Sequence, residues 1–496
     1  MKIKRLLFLQ LLVFLALPAI SFGKMGMMGT KSNDVDINFF GQLRTFPTFM
    51  KSCDLNSKAT GLDYIKDENG AMSDHNIRNE ARIGWSGKGD NWDFLVILEA
   101  DFTLNKNYVD RTVDKNNTEE QNFGIERLSL SYDFGSMKLE TGWNVKFVDI
   151  NSGGIVHGDD HPYIGLSGKP CPKFSWEALY IIVQDGNDGV DNNNKVNADI
   201  LDWRVYTLKG FYKTGGFTLS PFYVFSDNDE NAGRKDAKVN YLGFEAYGSM
   251  NIGKDLAVTP RFEIAYAFGN TDNLSPDGEY DISAMACYAS MELNFNPFFN
   301  PYFGISFMQG DDDGNDRDIN AFNSVTNIAR FTPTFGIENA LIYRIVPVLG
   351  TTVYSNNFAY LPNVMNNNKK DNISPTIGYG GIGNSSSGDS PGAIIFGAGF
   401  KGKSGNNSYK IQFQYFTYEN VGAIEDFYFR DNGTIKQISK DVGTEFDVSI
   451  THSFNNHFKI GNVFSVFIPG EAIEDLWGKD YDDAALLNTL ELVWTW

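Results

Sequence analysis

The chain of 496 residues holds only three cysteines and five histidines. Cys53, Cys171 and Cys287 are too few and too scattered for a disulfide scaffold or a zinc site, which need clustered ligands at short spacings. A single bridge between Cys53 and Cys171 stays open, because both lie in polar, loop-like sequence. Cys287 sits inside a strand-like run and reads as apolar filler. Basic residues are also scarce: 42 Lys and Arg stand against 62 Asp and Glu, a formal net charge of -20, which makes nucleic acid an unsuitable partner. Beyond the N-terminus there is no long apolar run, and the mean hydropathy is -0.29. No later transmembrane helix is expected, so if a membrane is involved strands must span it.

The first residues, MKIKRLLFLQLLVFLALPAISFGK, have a basic start, an apolar run from Leu6 to Ile20 and small residues Ser21 and Gly23 before Lys24. Residues 1–23 therefore read as a secretory signal peptide, the apolar run being short for a membrane anchor. Removing Lys2, Lys4 and Arg5 leaves 39 basic against 62 acidic residues, a charge of -23.

Aromatic residues are plentiful, at 14% with 40 Phe and 23 Tyr, as expected where rings line both lipid interfaces of a barrel. In LLNTLELVWTW the residues Leu490, Leu492, Trp494 and Trp496 share one face of an extended strand, and such a face needs an apolar surrounding. Short turn sequences recur at 88–92, 133–136, 213–216, 251–255, 294–298, 346–350, 403–407 and 454–458, rich in Gly, Asn, Asp and Pro. Between them lie long polar stretches, among them 48–75, 105–120, 310–334, 357–390 and 419–441. Short turns on one rim and long loops on the other mark an all-β transmembrane antiparallel barrel in a Gram-negative outer membrane. Eight hairpins, with a first strand near 35–47 and a last at 485–496, predict about 18 strands, with 16 as the alternative. Residues 24–496 then form a single barrel domain, and 174–186 is assigned to a long inserted loop over 149–198.

Period-two reading of the first five strands places Arg44, Arg78, Arg82, Arg127, Glu80, Glu99, Asp101 and Glu140 on one face. Charge on a lipid face costs roughly 2–4 kcal/mol near the midplane, so this face is the lumen. Two readings of the charges stay open: they pair with one another and stiffen the wall, or they also face a transported solute.

The motifs FFGQLRTFPTFM, RNEARIGWSGKGDNWDFLVILEADF, GDDHPYIGLSGK, WRVYTLKG, FNPYFG, YSNNFAYL and DYDDAALLNTLELVWTW resemble those of Gram-negative trimeric porins, specifically the homotrimeric porins of sulfate-reducing and related bacteria. The resemblance implies a homotrimer of water-filled pores, each narrowed by an inward-folded constriction loop at about 149–175. Asp159 and Asp160 would form its acidic tip, facing the arginines; with the net charge of -23, these two aspartates predict a modest preference for cations. Outer-membrane lipid and lipopolysaccharide would surround the barrel, and Trp496 resembles the aromatic signal presented to the barrel-assembly machinery.

The function so implied is passive diffusion of ions and small hydrophilic solutes. The alternative is a substrate-selective channel for a sugar or an organic acid; aromatics such as Tyr163, Trp176 and Tyr180 would serve a sugar path if they point inward. A barrel-embedded enzyme needs a serine and a histidine in hydrogen-bond reach, and no strand carries such a pair in phase. In GDDDGNDRD the residues Asp311, Asp313 and Asn315 are spaced as in calcium loops, yet the closing glutamate is missing, so the Ca2+ signal is weak and a solvated acidic loop is the plainer reading.

Overall fold

Alternation of apolar and polar side chains over segments of 9 to 16 residues builds the wall of this protein. The computed structural model describes residues 35–52, 55, 65–66, 72–73, 75–103, 123–185, 202–229, 237–253, 255–271, 279–325, 329–343, 391–426 and 433–496. Eighteen long strands form one antiparallel sheet: β1 Asp36–Lys51, β2 His75–Lys88, β3 Trp92–Thr103, β4 Phe123–Asp133, β5 Met137–Phe147, β6 Gly158–Cys171, β7 Phe174–Asp185, β8 Asp202–Thr214 and β9 Phe217–Asp229 make the first half. The second half is β10 Ala237–Gly248, β11 Ala257–Thr271, β12 Tyr280–Asn294, β13 Asn300–Met308, β14 Ala393–Ser404, β15 Asn407–Thr417, β16 Asp441–Ser453, β17 Phe458–Pro469 and β18 Ala485–Thr495. Each pairs with its neighbours in chain order, and β1 pairs with both β2 and β18, which closes the barrel and leaves the long strands without an edge.

Side-chain exposure separates the two faces. Ile37, Phe39, Leu130, Leu242, Phe303, Phe396, Phe413, Trp494 and Trp496 are exposed apolar residues on the outer face, whereas Glu80, Glu245, Glu263, Glu445 and Asp447 are buried on the inner one. The outer face is thus apolar and the inner face polar, the reverse of a soluble protein, as lipid demands. Replacing Leu242, which is 60% exposed, by Arg should cost roughly 2–4 kcal/mol and lower the folded, heat-modifiable fraction on gels, while Glu99→Gln on the inner face should fold as the parent does.

Short connections join β2–β3, β4–β5, β6–β7, β8–β9, β10–β11, β12–β13, β14–β15 and β16–β17 on one rim. Seven are those expected from the sequence; the other two assignments need correction. Of the stretch 174–186, residues 174–185 belong to the wall as β7, and 158–171 do so as β6, joined through Pro172 and Lys173. The region 149–198 is therefore not one inserted loop. Gly158, Pro162, Gly165, Gly168 and Pro170 make β6 a poor strand by local propensity, and its ladders to β5 and β7 override that weakness. Conversely, 346–350 lies outside the described residues, and the apolar run before it, read as a strand, is an inner segment ending in a short 3-10 turn at Leu341–Tyr343. One hairpin was missed, while 335–343 adds no strand and β13 pairs directly with β14, which is why the count of eighteen stands.

The signal segment and Cys53 lie outside the described residues. Cys171 is a free, exposed thiol at the short-turn rim, and Cys287 is a free, half-buried one on β12.

Candidate functional site

Two segments from the long-loop rim fold back into the barrel. The first, residues 148–157, connects β5 to β6. Asp149, fully buried, ties its turn by accepting hydrogen bonds from the backbone amides of Val156 at 2.5 Å and His157 at 3.4 Å. Burial pushes the Asp149 carboxyl up and the His157 imidazole down to about 3, so His157 stays neutral in this setting. The Ser152 hydroxyl lies 2.7 Å from Glu245 and 2.8 Å from Glu263, the Gly153 amide donates to Glu263 at 2.8 Å, and Arg261 donates to the Asn151 carbonyl at 3.1 Å. Lys209 bridges the Val148 carbonyl and Glu245. This loop is stitched to the inner faces of β8, β10 and β11.

The second segment follows β13. Residues 309–325 run along the wall, Asp318–Ile319 pairing parallel with β12, and meet the first segment where the Val325 amide donates to the Val156 carbonyl at 2.9 Å. Ile155, Val156, Ile319, Ala321, Phe322 and Val325 pack there with inward Val205, Val224, Val239 and Ala265, so this half of the lumen is filled by an apolar core. Residues 329–343 then cross to the other side as a strap. At its start Phe331 meets Phe147 with ring centroids 6.4 Å apart; at its end Glu338 accepts from Arg44 at 3.1 Å, Asn339 donates to Glu491 at 2.6 Å, and the Ile342 amide donates to Glu445 at 3.1 Å.

The strap faces the charged wall of β1–β4. Arg44 donates to Glu80 at 2.9 Å, and Arg78 lies 3.0 Å from Glu80. Arg82 binds Glu99, reaches Glu126 at 3.0 Å and approaches Glu80 at 3.7 Å. Arg127 sits 3.8 Å from Glu126. The four guanidinium-bearing side chains remain 14–33% exposed, so they are paired yet not sealed off. Two of them also stack: the guanidinium carbon of Arg44 lies 4.6 Å and that of Arg78 5.7 Å from the ring centroid of buried Phe46.

Among the residues expected from the sequence, the structure brings Arg44, Arg78, Arg82, Arg127, Glu80 and Glu99 into this network. The side chain of Asp101 lies outside the described residues. Glu140 belongs to a separate group, bound to Lys146 at 2.7 Å and to the Tyr163 hydroxyl. Asp159 and Asp160 are not at the tip of a constriction loop; they stand on β6, where Asp159 is 3.8 Å from His161 and Asp160 lies in the field of Arg127, Arg330 and Arg82. The inward loop is the shorter 148–157 stretch, and its buried acid is Asp149. Glu126 was missed because period-two reading puts it on the opposite face from Arg127. A bulge in the β3–β4 ladder, between Ile97 and Leu98 on β3, breaks that alternation, and Glu126 joins its neighbour on the ion-paired wall. Glu338 and Arg330 were missed because nothing local in the sequence marks the strap.

The calcium reading gains no support from the geometry. Asp311 spends its carboxylate on the backbone amides of Asp313 at 3.0 Å and Asn320 at 2.6 Å, while Asp313 caps Asn315 and Asp316 caps Asp318, both at 2.9 Å. Burial raises Asp311 to about 6 despite those amides. These contacts are Asx turns that shape the loop itself, and no cluster of metal-binding side chains occurs among the described residues.

A closed barrel with an apolar outer band, half-filled and crossed by a strap, has the fold of Gram-negative outer-membrane channels, and the band places the chain in such a membrane as a multi-pass barrel. No family model and no curated protein matches the sequence. Among solved structures, the chain is similar to OccAB2 of Acinetobacter baumannii, with a TM-score of 0.53 and 11% identity over 93% of this chain and 98% of that one. It is also similar to OpdK of Pseudomonas aeruginosa, crystallised with vanillate, at TM-score 0.51 and 9% identity over 93% and 98% of the two chains. OccK2 (OpdF) of the same organism, in complex with glucuronate, gives the same TM-score, identity and coverage. At these identities the likeness concerns the fold.

Proposed function

We propose that this protein is a substrate-selective channel that lets small organic acids diffuse passively across the outer membrane. The observation that carries the reading is the arginine wall of Arg44, Arg78, Arg82 and Arg127 facing the strap in a lumen already half filled. A guanidinium offers planar, bidentate donors that replace the water around a carboxylate, and Glu80, Glu99 and Glu126 hold these donors in place while weakening their net attraction. Binding weak enough to release the solute is what conduction requires. The two neighbours bound to vanillate and glucuronate carry carboxylates, which accords with this choice.

An aromatic slide for neutral sugars fits less well. Tyr163 is buried and held by Glu140, and Tyr180 meets exposed Tyr206 in a tilted pair, centroids 5.2 Å apart, on the outer face, where Trp176 shares its strand parity. A general diffusion pore would have less reason to fill half its lumen. Proteoliposome flux separates the readings: glucuronate should enter faster than glucose, a neutral sugar of similar size, and its rate should saturate. Equal, non-saturating rates would return the protein to the general porins. The homotrimer, the lipopolysaccharide contact and delivery by the barrel-assembly machinery belong to the same proposal on the sequence resemblance, with chemical cross-linking in native membranes as the test for three copies.

A further inference from the structure

We infer that Phe335 is the positioning residue that moors the strap, through a notch in the barrel wall formed by Gly304 and Gly397. These two glycines are directly paired across β13 and β14. A Cβ at Gly397 would come within 2.3 Å of the Phe335 ring, and one at Gly304 within 3.0 Å of the ring and 2.6 Å of the Ala289 carbonyl, so the ring occupies the space two side chains would need. Tyr288 and Tyr302 flank it edge-on, with centroids 6.3 and 5.7 Å away and interplanar angles of 82° and 69°. These three aromatics form a buried cluster of their own, separate from the main apolar core. Around the ring the strap is pinned by polar contacts: Gln412 donates to the Phe335 carbonyl at 3.1 Å, Lys410 to the Gly336 carbonyl at 2.8 Å, and Thr334 and Ser290 share a hydrogen bond at 3.0 Å.

Phe335 lies five residues after Arg330 and three before Glu338; through the first the strap puts a positive charge in the field of Asp160, and through the second it binds Arg44. Seating the ring fixes both at once. The segment itself has little regular structure, Ala329–Phe331 and Leu341–Tyr343 being single 3-10 turns, so its course depends on such side-chain anchors. Unseating the ring should therefore widen the passage and free Arg44 from Glu338 without touching the lipid-facing wall.

This rests on the channel reading, and the test keeps the two apart. Phe335→Ala and Gly397→Val should each raise single-channel conductance in potassium chloride and add slow current fluctuations absent from the parent, with unchanged heat-modifiable folding. The double variant should be no worse than either single one, because both remove the ring from the same notch, one by truncating it and the other by filling its seat. Additive effects, or parent-like traces, would overturn the mooring while leaving the channel reading intact. A parent that conducts nothing would sink the channel reading instead. In that case thiol cross-linking decides the mooring: with native cysteines replaced by serine, the Arg44→Cys, Glu338→Cys pair should be joined readily by a bifunctional thiol reagent whose spacer replaces the two long side chains, and adding Phe335→Ala should slow it several-fold. An unchanged cross-linking rate would refute the anchor.

Discussion

Arg82→Glu should shift the zero-current potential in a salt gradient toward cations and cut glucuronate flux by about tenfold or more, roughly 1.4 kcal/mol in barrier height. Arg82 is the hub of the wall, shared by Glu80, Glu99 and Glu126. At a separation near 4 Å and an effective dielectric of about 20, a unit-charge pair is worth about 4 kcal/mol, so a carboxylate passing the reversed site loses an attraction and meets a repulsion, more than the barrier change needed. Screening reduces the effect without removing it, because side chains about one-fifth exposed lie well inside the roughly 8 Å Debye length at physiological salt. The reciprocal variant, Glu126→Gln, should move the potential toward anions. Arg82→Gln supplies a milder control should the reversed charge lower folding yield. If flux and potential both stay at parent values in Arg82→Glu and Glu126→Gln, the solute does not pass along this wall.

The expectation of a modest cation preference, drawn from the overall charge and from Asp159 and Asp160, must be weighed against this local balance. Asp160 stands on β6 in the field of Arg127, Arg330 and Arg82, so its charge is offset locally and it is not the acidic tip of a loop. A surplus of acid over the whole chain says little about a passage whose own wall is matched, and the measured preference should track the wall.

What was legible in the sequence followed period and turn chemistry. The outer and inner faces of β1, β2 and β18 could be read because each alternates without interruption. Seven turns could be read because Gly, Asn, Asp or Pro fills positions that other residues enter with difficulty. Legibility ended where tertiary context overrides local preference. Gly and Pro in β6 look like a loop until the ladders on both sides are seen, and the apolar run at 335–343 looks like a strand until the lumen offers it a core. The bulge at Glu126 moves one carboxylate onto the ion-paired wall, and no pattern in IERLSLSYD announces it. The charged network was thus half visible: its wall could be read, its partner across the lumen could not.

Trp496→Asp should remove most of the folded protein from the outer membrane. The seam between β1 and β18 joins positions more than four hundred residues apart, so it carries the largest loop-closure cost of any pairing in the barrel and depends on strong contacts at its ends. Trp496 supplies such an end: its amide donates to the Gly41 carbonyl and its carbonyl accepts from the Gly41 amide, both at 3.0 Å. Its indole covers Gly41 so closely that a Cβ there would lie 2.2 Å from the ring, while Trp494 stacks on Phe458 at 4.7 Å to continue the aromatic edge. An aspartate near the interface costs only about 1 kcal/mol or less in lipid terms, so equilibrium stability alone would not empty the membrane. The larger effect comes through kinetics, since an unclosed barrel exposes two strand edges and an apolar band to aggregation. Trp496→Phe should preserve the yield, and Gly41→Leu, which evicts the ring while leaving Trp496 in place, should lower it as Trp496→Asp does. Parent-level insertion of Trp496→Asp, or a normal yield for Gly41→Leu, would show that the seam closes without the indole cover.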